Sequence, residues 1–484
     1  MVGRRQTPLL RDDIGLDGGW ATRYPSGRGE DSVLSVLSNR TYRHLFAAQV
    51  LSLLGTGLTT VALGLLAYEL AGADAGLVLG IAFTVKMLAY VGLSPIAGAL
   101  AGMLPRRALL VSLDLLRAAM VLFLPFVTEI WQIYLLVFLF QSFSAAFTPT
   151  FQATIPDVLA DEKAYTEALS LSRLAYDLEA LLSPLLAGLL LTVLSFHWLF
   201  VGNAIGFLIS AALVVSVALP AFGRVEERSF AARVTRGAWI YLRTPRLRGL
   251  LALSAAVSAA GAMVIVNTVV IVRDGFGGSN ADVALFFAAY GAGSILVALI
   301  LPRLLARLEP RPVMVTGGLI LPAALMMAGA TGGYGPTLAL WAVLGAGASL
   351  VQTPAGILLR RSSHAQDRPA LFAAQFALSH ACWLFAYPAA GWLGARLGLE
   401  NTFAILAVIA AIGTSVALLV WPRHDPEEIE HEHAEMEHTH GPGDDDHHAA
   451  GLVWSQTGTG RHRHHPLRHT HRFVIDDHHP LWPR

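Results

Sequence analysis

Fourteen of the 18 histidines in this 484-residue chain lie in its last 61 residues. Residues 424–448 read HDPEEIEHEHAEMEHTHGPGDDDHH, seven histidines among ten carboxylates. Residues 461–479 carry seven more, now among Arg461, Arg463, Arg468 and Arg472. Neutral imidazole suits Ni²⁺, Co²⁺, Zn²⁺ and Cu²⁺, whereas Cu(I) prefers sulfur ligands. The tail offers no cysteine and a single Met436, so its chemistry is that of divalent ions. Candidate ligands are His431, His433, Glu435, His438, His440, His447, His448, His462, His464 and His465. If residues 427–438 are helical, His431, Glu435 and His438 share one face; if extended, His431 and His433 share one side. Either form presents two imidazoles, and binding weakens below pH about 6.5 as imidazole protonates. The competing reading is polar low-complexity sequence without a ligand.

A second set of chemically capable residues lies inside apolar stretches, where an ionisable group is costly and is a functional candidate by default. Lys86 is one of only two lysines against 32 arginines, and it falls about ten residues from either end of its stretch. It either pairs with an acid on a neighbouring helix or holds a countercharge that an entering cation displaces. Asp114 and Arg117, at i and i+3, are spaced to pair along one helix face. They form either a structural ion pair or part of a gate. Asp177 and Glu179, with Arg173 one turn before, open the expected fifth span near its interface, as anchors or as proton carriers. Glu69 near the outer end of the first span is a candidate exit acid, and His380 a mid-span imidazole. Cys382 follows two residues later, but helical i and i+2 positions diverge, so the two do not share an ion.

The elements that position these groups follow from composition. Hydrophobic residues make up 54%, charged residues 14%, and mean hydropathy is +0.55, which is too little charge for a water-covered surface of this size. A lone cysteine excludes a disulfide framework and Cys-rich metal modules. Apolar stretches recur at lengths that fit ~20-residue helices across ~30 Å of hydrocarbon. They run over 45–69, 76–103, 107–127, 131–154, 170–194, 198–220, 249–272, 281–305, 312–331, 335–359, 369–394 and 399–422. The expected fold is all-α and integral to the membrane, with 12 transmembrane helices in two six-helix bundles. Loop cations number 17 on one side and two, Arg273 and Arg396, on the other, which predicts both termini in the cytoplasm. The parts are a polar extension over 1–43 with no secretory signal pattern, a first bundle over 44–220, a basic connector over 221–248, a second bundle over 249–422 and a disordered tail over 423–484.

Several motifs resemble the major facilitator superfamily in its exporter branch. Gly98-Ala99-Leu100-Ala101-Gly102-Met103-Leu104-Pro105-Arg106-Arg107 is similar to the family's loop 2–3 gate motif, with Gly102 where the motif has its Asp. The resemblance makes Gly98, Arg106 and Arg107 gate residues, the missing acid coming from elsewhere, with Asp114 nearest. Ser183-Pro184-Leu185-Leu186-Ala187-Gly188 resembles the antiporter stretch, in which Pro184 and Gly188 permit bending and close packing. Gln141 is the sizeable polar group in the fourth span, where the family has an Arg. Leu37–Arg43, Phe147-Thr148-Pro149 through Ile155-Pro156-Asp157 and Asn203–Phe207 resemble the enterobactin-exporter-like subgroup. With its His-rich tail, the chain looks like the bacterial nickel-resistance exporters.

The resemblance implies a secondary transporter of the bacterial inner membrane that exports a divalent metal, nickel foremost and cobalt beside it, in exchange for protons. It places the second and eleventh spans together, making Lys86 and His380 neighbours. An exporter of a siderophore or amphipathic drug, with Tyr90, Phe140 and Tyr290 lining its cavity, is the second reading. A metal-sensing or metal-storing protein is the third. No nucleotide-binding or catalytic motif appears, so neither an enzyme, a resident cofactor nor a nucleic-acid partner is expected. The expected partners are lipid, protons and a small ion, with the chain a monomer.

Overall fold

The computed structural model describes residues 33–71, 75–101, 103–220, 229–425, 428–433, 436–440, 460–464, 467–476, 479 and 481–482. The first bundle is built from α1 (Arg40–Ala71), α2 (Ala75–Ala101), α3 (Arg106–Phe123), α4 (Ile130–Val158), α5 (Glu162–Leu190) and α6 (His197–Val215). A connecting helix α7 (Phe230–Arg243) leads to α8 (Pro245–Val270), α9 (Asn280–Leu305), α10 (Pro310–Thr331), α11 (Tyr334–Gln352), α12 (Ala355–Arg361), α13 (Arg368–Leu397) and α14 (Leu399–Val420). Among the described residues, 11 helical runs are long and apolar enough to cross a bilayer. At 29 residues α5 is long enough as well, but Glu162, Lys163, Glu167, Arg173, Asp177 and Glu179 keep it outside that group.

Three elements differ from the sequence expectation. The fifth span was expected to begin at residue 170, but α5 begins at Glu162, where the Asp161 carboxylate accepts from the Ala164 backbone N–H at 2.8 Å. Arg173 therefore sits well inside the helix rather than in its first turn, and Asp177 and Glu179 sit near its middle rather than at its start. The span over 335–359 is interrupted at Thr353-Pro354, since proline lacks the N–H that a continuous helix needs. The connector is not simply a basic loop. Ser229 caps α7 by accepting from the Ala232 N–H at 3.3 Å, and Arg236, Gly237, Ile240 and Tyr241 form its buried face.

Two apolar clusters hold the first bundle and one large cluster holds the second. Ala153 of α4 joins the second bundle's core and Ile357 of α12 joins the first's, so the cores meet at the end where the connector lies. Small residues let backbones approach. A Cβ on Gly293 of α9 would stand 1.8 Å from the Ala342 carbonyl oxygen, and one on Gly345 of α11 would stand 1.9 Å from that of Tyr290. Backbone will not yield as a side chain does. Gly345→Leu is expected to lower the thermal midpoint of the solubilised protein by roughly 5 °C, read by intrinsic fluorescence; a shift below about one degree would show that α9 and α11 separate freely.

The tail differs too. Over its described residues it forms strands β1 (Glu428–His433), β2 (Met436–His440), β3 (Gly460–His464) and β4 (Leu467–Arg472) rather than disordered chain. β1 pairs antiparallel with β4, and β2 with β3. The register sets Glu428, Glu432 and Glu437 opposite Arg472, Arg468 and Arg463, which favours pairing of the acidic stretch with the basic one. The same register sets His431 opposite His469 and His438 opposite His462. Of the two backbone forms open to His431 and His433, the extended one is present. Gly102, Glu435, His447, His448 and His465 lie outside the described residues.

Candidate functional site

α2, α4, α5 and α13 bring together the groups that a membrane interior makes costly. Lys86, half-buried on α2, places its Nζ 5.5 Å from the ring centre of Tyr90, one turn along the same helix. The Tyr90 hydroxyl donates to Gln141 Oε1 on α4 at 2.8 Å. The Tyr90 ring also meets His380 of α13 edge-on at 4.9 Å, and Phe376 lies 4.8 Å away. Tyr90 thus touches both the Lys86 and the His380 side chains. The His380 Nδ1 lies 2.7 Å from the Phe376 carbonyl oxygen. Because a carbonyl only accepts, Nδ1 carries a proton and Nε2 is the position that exchanges one or meets a ligand.

Lys86 interacts electrostatically with Glu179, half-buried on α5. Gly57 of α1 allows that approach, since a Cβ there would stand 2.8 Å from Glu179 Oε1 and 2.1 Å from Ser183 Oγ. The tight contact of the antiporter-like stretch is therefore made at Ser183; a Cβ on Gly188 would meet open space. Pro184 lies within α5. A carboxylate and an ammonium that feel each other's charge, with aromatic rings and an imidazole beside the ammonium, can exchange charge for a bound proton.

Asp114 and Arg117 form a buried, hydrogen-bonded pair on α3, and Ser210 of α6 donates to Asp114 Oδ2 at 2.8 Å. The guanidinium lies over the rings of Phe147 and Phe207 at 3.8 and 4.4 Å. Asp114 is thus committed inside the first bundle, and Arg106 pairs with a different acid. Phe140, 4% exposed, packs on Phe207 in that bundle's core rather than lining a cavity. Tyr290 is half-buried on α9. Glu69 is exposed two residues before the end of α1.

The acid that meets Arg106 is Asp157 at the end of α4. Arg106 Nη2 lies 2.6 Å from its Oδ2, and Arg368, the first residue of α13, pairs with its Oδ1 from the opposite bundle. Gly98 belongs to the same closure, for a Cβ there would stand 2.6 Å from Ala373 of α13, while Ser94 donates to the Ala373 carbonyl at 3.0 Å. Arg107 is exposed beside it. Arg361 of α12 reaches Glu162 at 2.5 Å, and Arg236 makes a forked pair with Asp367 at 3.1 and 3.2 Å. Deeper in, Arg173 holds Asp177 at 2.9 Å and donates across the bundle interface to Ser294 at 2.9 Å and Gln352 at 3.1 Å. These cross-bundle contacts fall in the half nearer the connector, which is closed. Asp157 and Arg368 were visible in the sequence only as a motif end and a loop cation; their pairing carried no sequence signal.

Among the described residues, no group of three or more His, Cys, Asp or Glu is arranged to hold a metal ion. His380 has aromatic neighbours, and Cys382 bonds the Leu378 carbonyl. A sequence profile of the Major Facilitator Superfamily matches residues 45–269 and 251–468. The uncharacterized MFS-type transporter YfiS of Bacillus subtilis strain 168 is 26% identical over 400 residues, covering 77% of this chain and 93% of that protein. Among solved structures, the human organic anion transporter MFSD10 superposes with TM-score 0.68 at 12% identity, over 78% of this chain and 99% of that one. A bacterial homologue of the iron transporter ferroportin, in an outward-facing state, gives 0.65 at 13% over 78% and 98%. The Escherichia coli fucose:proton symporter gives 0.61 at 16% over 79% and 98%. At such identities these structures show the shared fold alone.

Proposed function

Because the chain belongs to the Major Facilitator Superfamily, and so is a multi-pass membrane transporter rather than an enzyme, we propose that it exports a divalent transition metal, nickel foremost and cobalt beside it, in exchange for protons. In this reading α5 is the twelfth span, both termini face the cytoplasm of a bacterium, and the chain works in the inner membrane as a monomer. In layout the chain then resembles the nickel-resistance exporters of the enterobactin-exporter-like subgroup. The observation that carries the cargo is the concentration of 14 of 18 histidines in the last 61 residues. The strand register supports it by setting His431 opposite His469 and His438 opposite His462. Lys86, Glu179 and His380 supply the exchangeable protons and charges, and the two bundles rock about them.

Everted vesicles loaded with a pH dye test the reading. Proton release on adding Ni²⁺ or Co²⁺, and none with a siderophore, is the expected result; no response to any metal sinks it. The aromatic wall of Tyr90, Phe376 and His380 favours a second reading, an amphipathic organic substrate, which proton release with siderophore but not nickel would establish. On the metal reading, glutamine in place of His431, His433, His438, His440, His462, His464, His469 and His471 is expected to raise the nickel needed for half-maximal efflux by roughly threefold to tenfold without changing the maximal rate. An unchanged requirement would leave the tail without a collecting role.

A further inference from the structure

The last residues of the chain return to the body. Phe473, Val474 and Ile475 are 2%, 3% and 0% exposed, and Phe473 and Ile475 share the second bundle's core cluster with Leu247, Leu359 and Trp421. Trp482 packs against the same cluster, 5.1 Å from the Phe473 ring, with the Arg246 guanidinium 5.0 Å over it. The other end of the tail is held as well, since Asp425 meets Arg246 at 2.9 Å and accepts from Trp421 Nε1 at 2.9 Å.

A polar contact joins this docked segment to the gate. Asp476 accepts from the His479 backbone N–H at 2.6 Å, and the His479 Nδ1 lies 2.9 Å away. His364 Nε2, in the loop between α12 and α13, lies 3.4 Å from the other carboxylate oxygen. Burial opposes ionisation, yet these contacts hold the Asp476 carboxyl well below the usual carboxylate range. A carboxylate only accepts, so the facing imidazole nitrogens carry protons. The His364 carbonyl in turn accepts from the backbone N–H groups of Asp367 and Arg368, both at 3.1 Å. The docked segment therefore grips the turn from which Arg368 reaches Asp157 in the opposite bundle and Asp367 holds Arg236 of α7.

We propose that Phe473–Asp476, with His479 and Trp482, form a strap that keeps the connector-end gate shut: seated on His364 and Arg246, it fixes the turn that aims Arg368 at Asp157, and its release lets the bundles part at that end. The proposal rests on the rocking of two bundles in the reading above and not on the identity of the cargo. Burial of Phe473 and Ile475 supplies the adhesion, and the Asp476–His364 contact supplies the register.

The test uses full-length protein in vesicles, with Cys382→Ser as background and one engineered thiol at a time. Ser94→Cys reports the connector-end gate, and Tyr387→Cys, in the far half of α13, reports the opposite side. With Ile475→Asp, labelling of Ser94→Cys by an impermeant maleimide is expected to rise at least about threefold while labelling of Tyr387→Cys falls, as a shift between two populations requires. His364→Ala, which leaves the apolar seat intact, is expected to move both rates the same way by less, and keeps the test open if Ile475→Asp does not fold. Unchanged rates in His364→Ala and in folded Ile475→Asp would overturn the proposal. So would a rise at both reporters together, the mark of general loosening rather than of a released gate.

Discussion

If the chain exchanges its cargo for protons as proposed, Glu179→Gln is expected to cut flux by on the order of a hundredfold while the protein still folds and inserts. Glu179 is the carboxylate whose charge acts on Lys86, and its amide isostere keeps the shape beside Gly57 and Ser183 but holds neither a charge nor a titratable proton. The ammonium of Lys86 then lacks the opposing charge of Glu179, and on the proposed proton exchange the difference between loaded and unloaded states disappears. Some stability is lost as well, since a charge inside the membrane has lost the field that offset it. Lys86→Gln combined with Glu179→Gln separates the two effects: the pair is expected to restore the thermal midpoint toward that of the parent without restoring flux. Flux is measured as proton release from vesicles on addition of cargo, and near-parental flux in Glu179→Gln would remove Glu179 from the coupling path.

The second large effect is expected at Asp157→Asn. Asp157 receives Arg106 from its own bundle and Arg368 from the other, so one substitution weakens two contacts of the closed gate. Its side chain is 12% exposed and that of Arg368 11%, so water screens the pair only partly. Breaking a buried pair costs about 3 kcal/mol or more; allowing for that screening, the balance between gate-closed and gate-open forms is expected to move by roughly a hundredfold. Distances between spin labels on the connector ends of α4 and α13 report that balance. A distance distribution unchanged from the parent would mean that apolar contact, such as Gly98 against Ala373, closes the gate unaided.

The helices were legible because lipid imposes a length and an apolar composition on each stretch, and a lysine or histidine inside such a stretch stands out. Lys86, Asp114, Arg117 and His380 were found that way. What hydropathy hides is charge inside a helix. The six ionised residues of α5 displaced its expected start by eight positions and turned two central acids into apparent interfacial ones. The partner of Arg106 was missed for another reason. Distance along the chain placed Asp114 nearest to Arg106, whereas folding brings Asp157, 51 residues away, to 2.6 Å. In α7 a buried face of Arg236, Gly237, Ile240 and Tyr241 was concealed by its own cations. The tail's strands depend on pairing an acidic block with a basic block some thirty residues later, which composition counts separately.

The charge load of α5 bears on how the protein is made. If α5 spans the bilayer, each ionised side chain near its centre opposes entry into lipid by about 2.5–3.5 kcal/mol, so the nascent helix will not partition from the translocon by itself. It packs on α1 before it and on α9 after it, and Arg173 finds Ser294 only once α9 exists. The amino-terminal half must therefore wait, partly assembled, for ribosomal output from the other half, and ribosome-bound chains halted between α6 and α9 should expose α5 to proteases or chaperones that the finished carrier excludes.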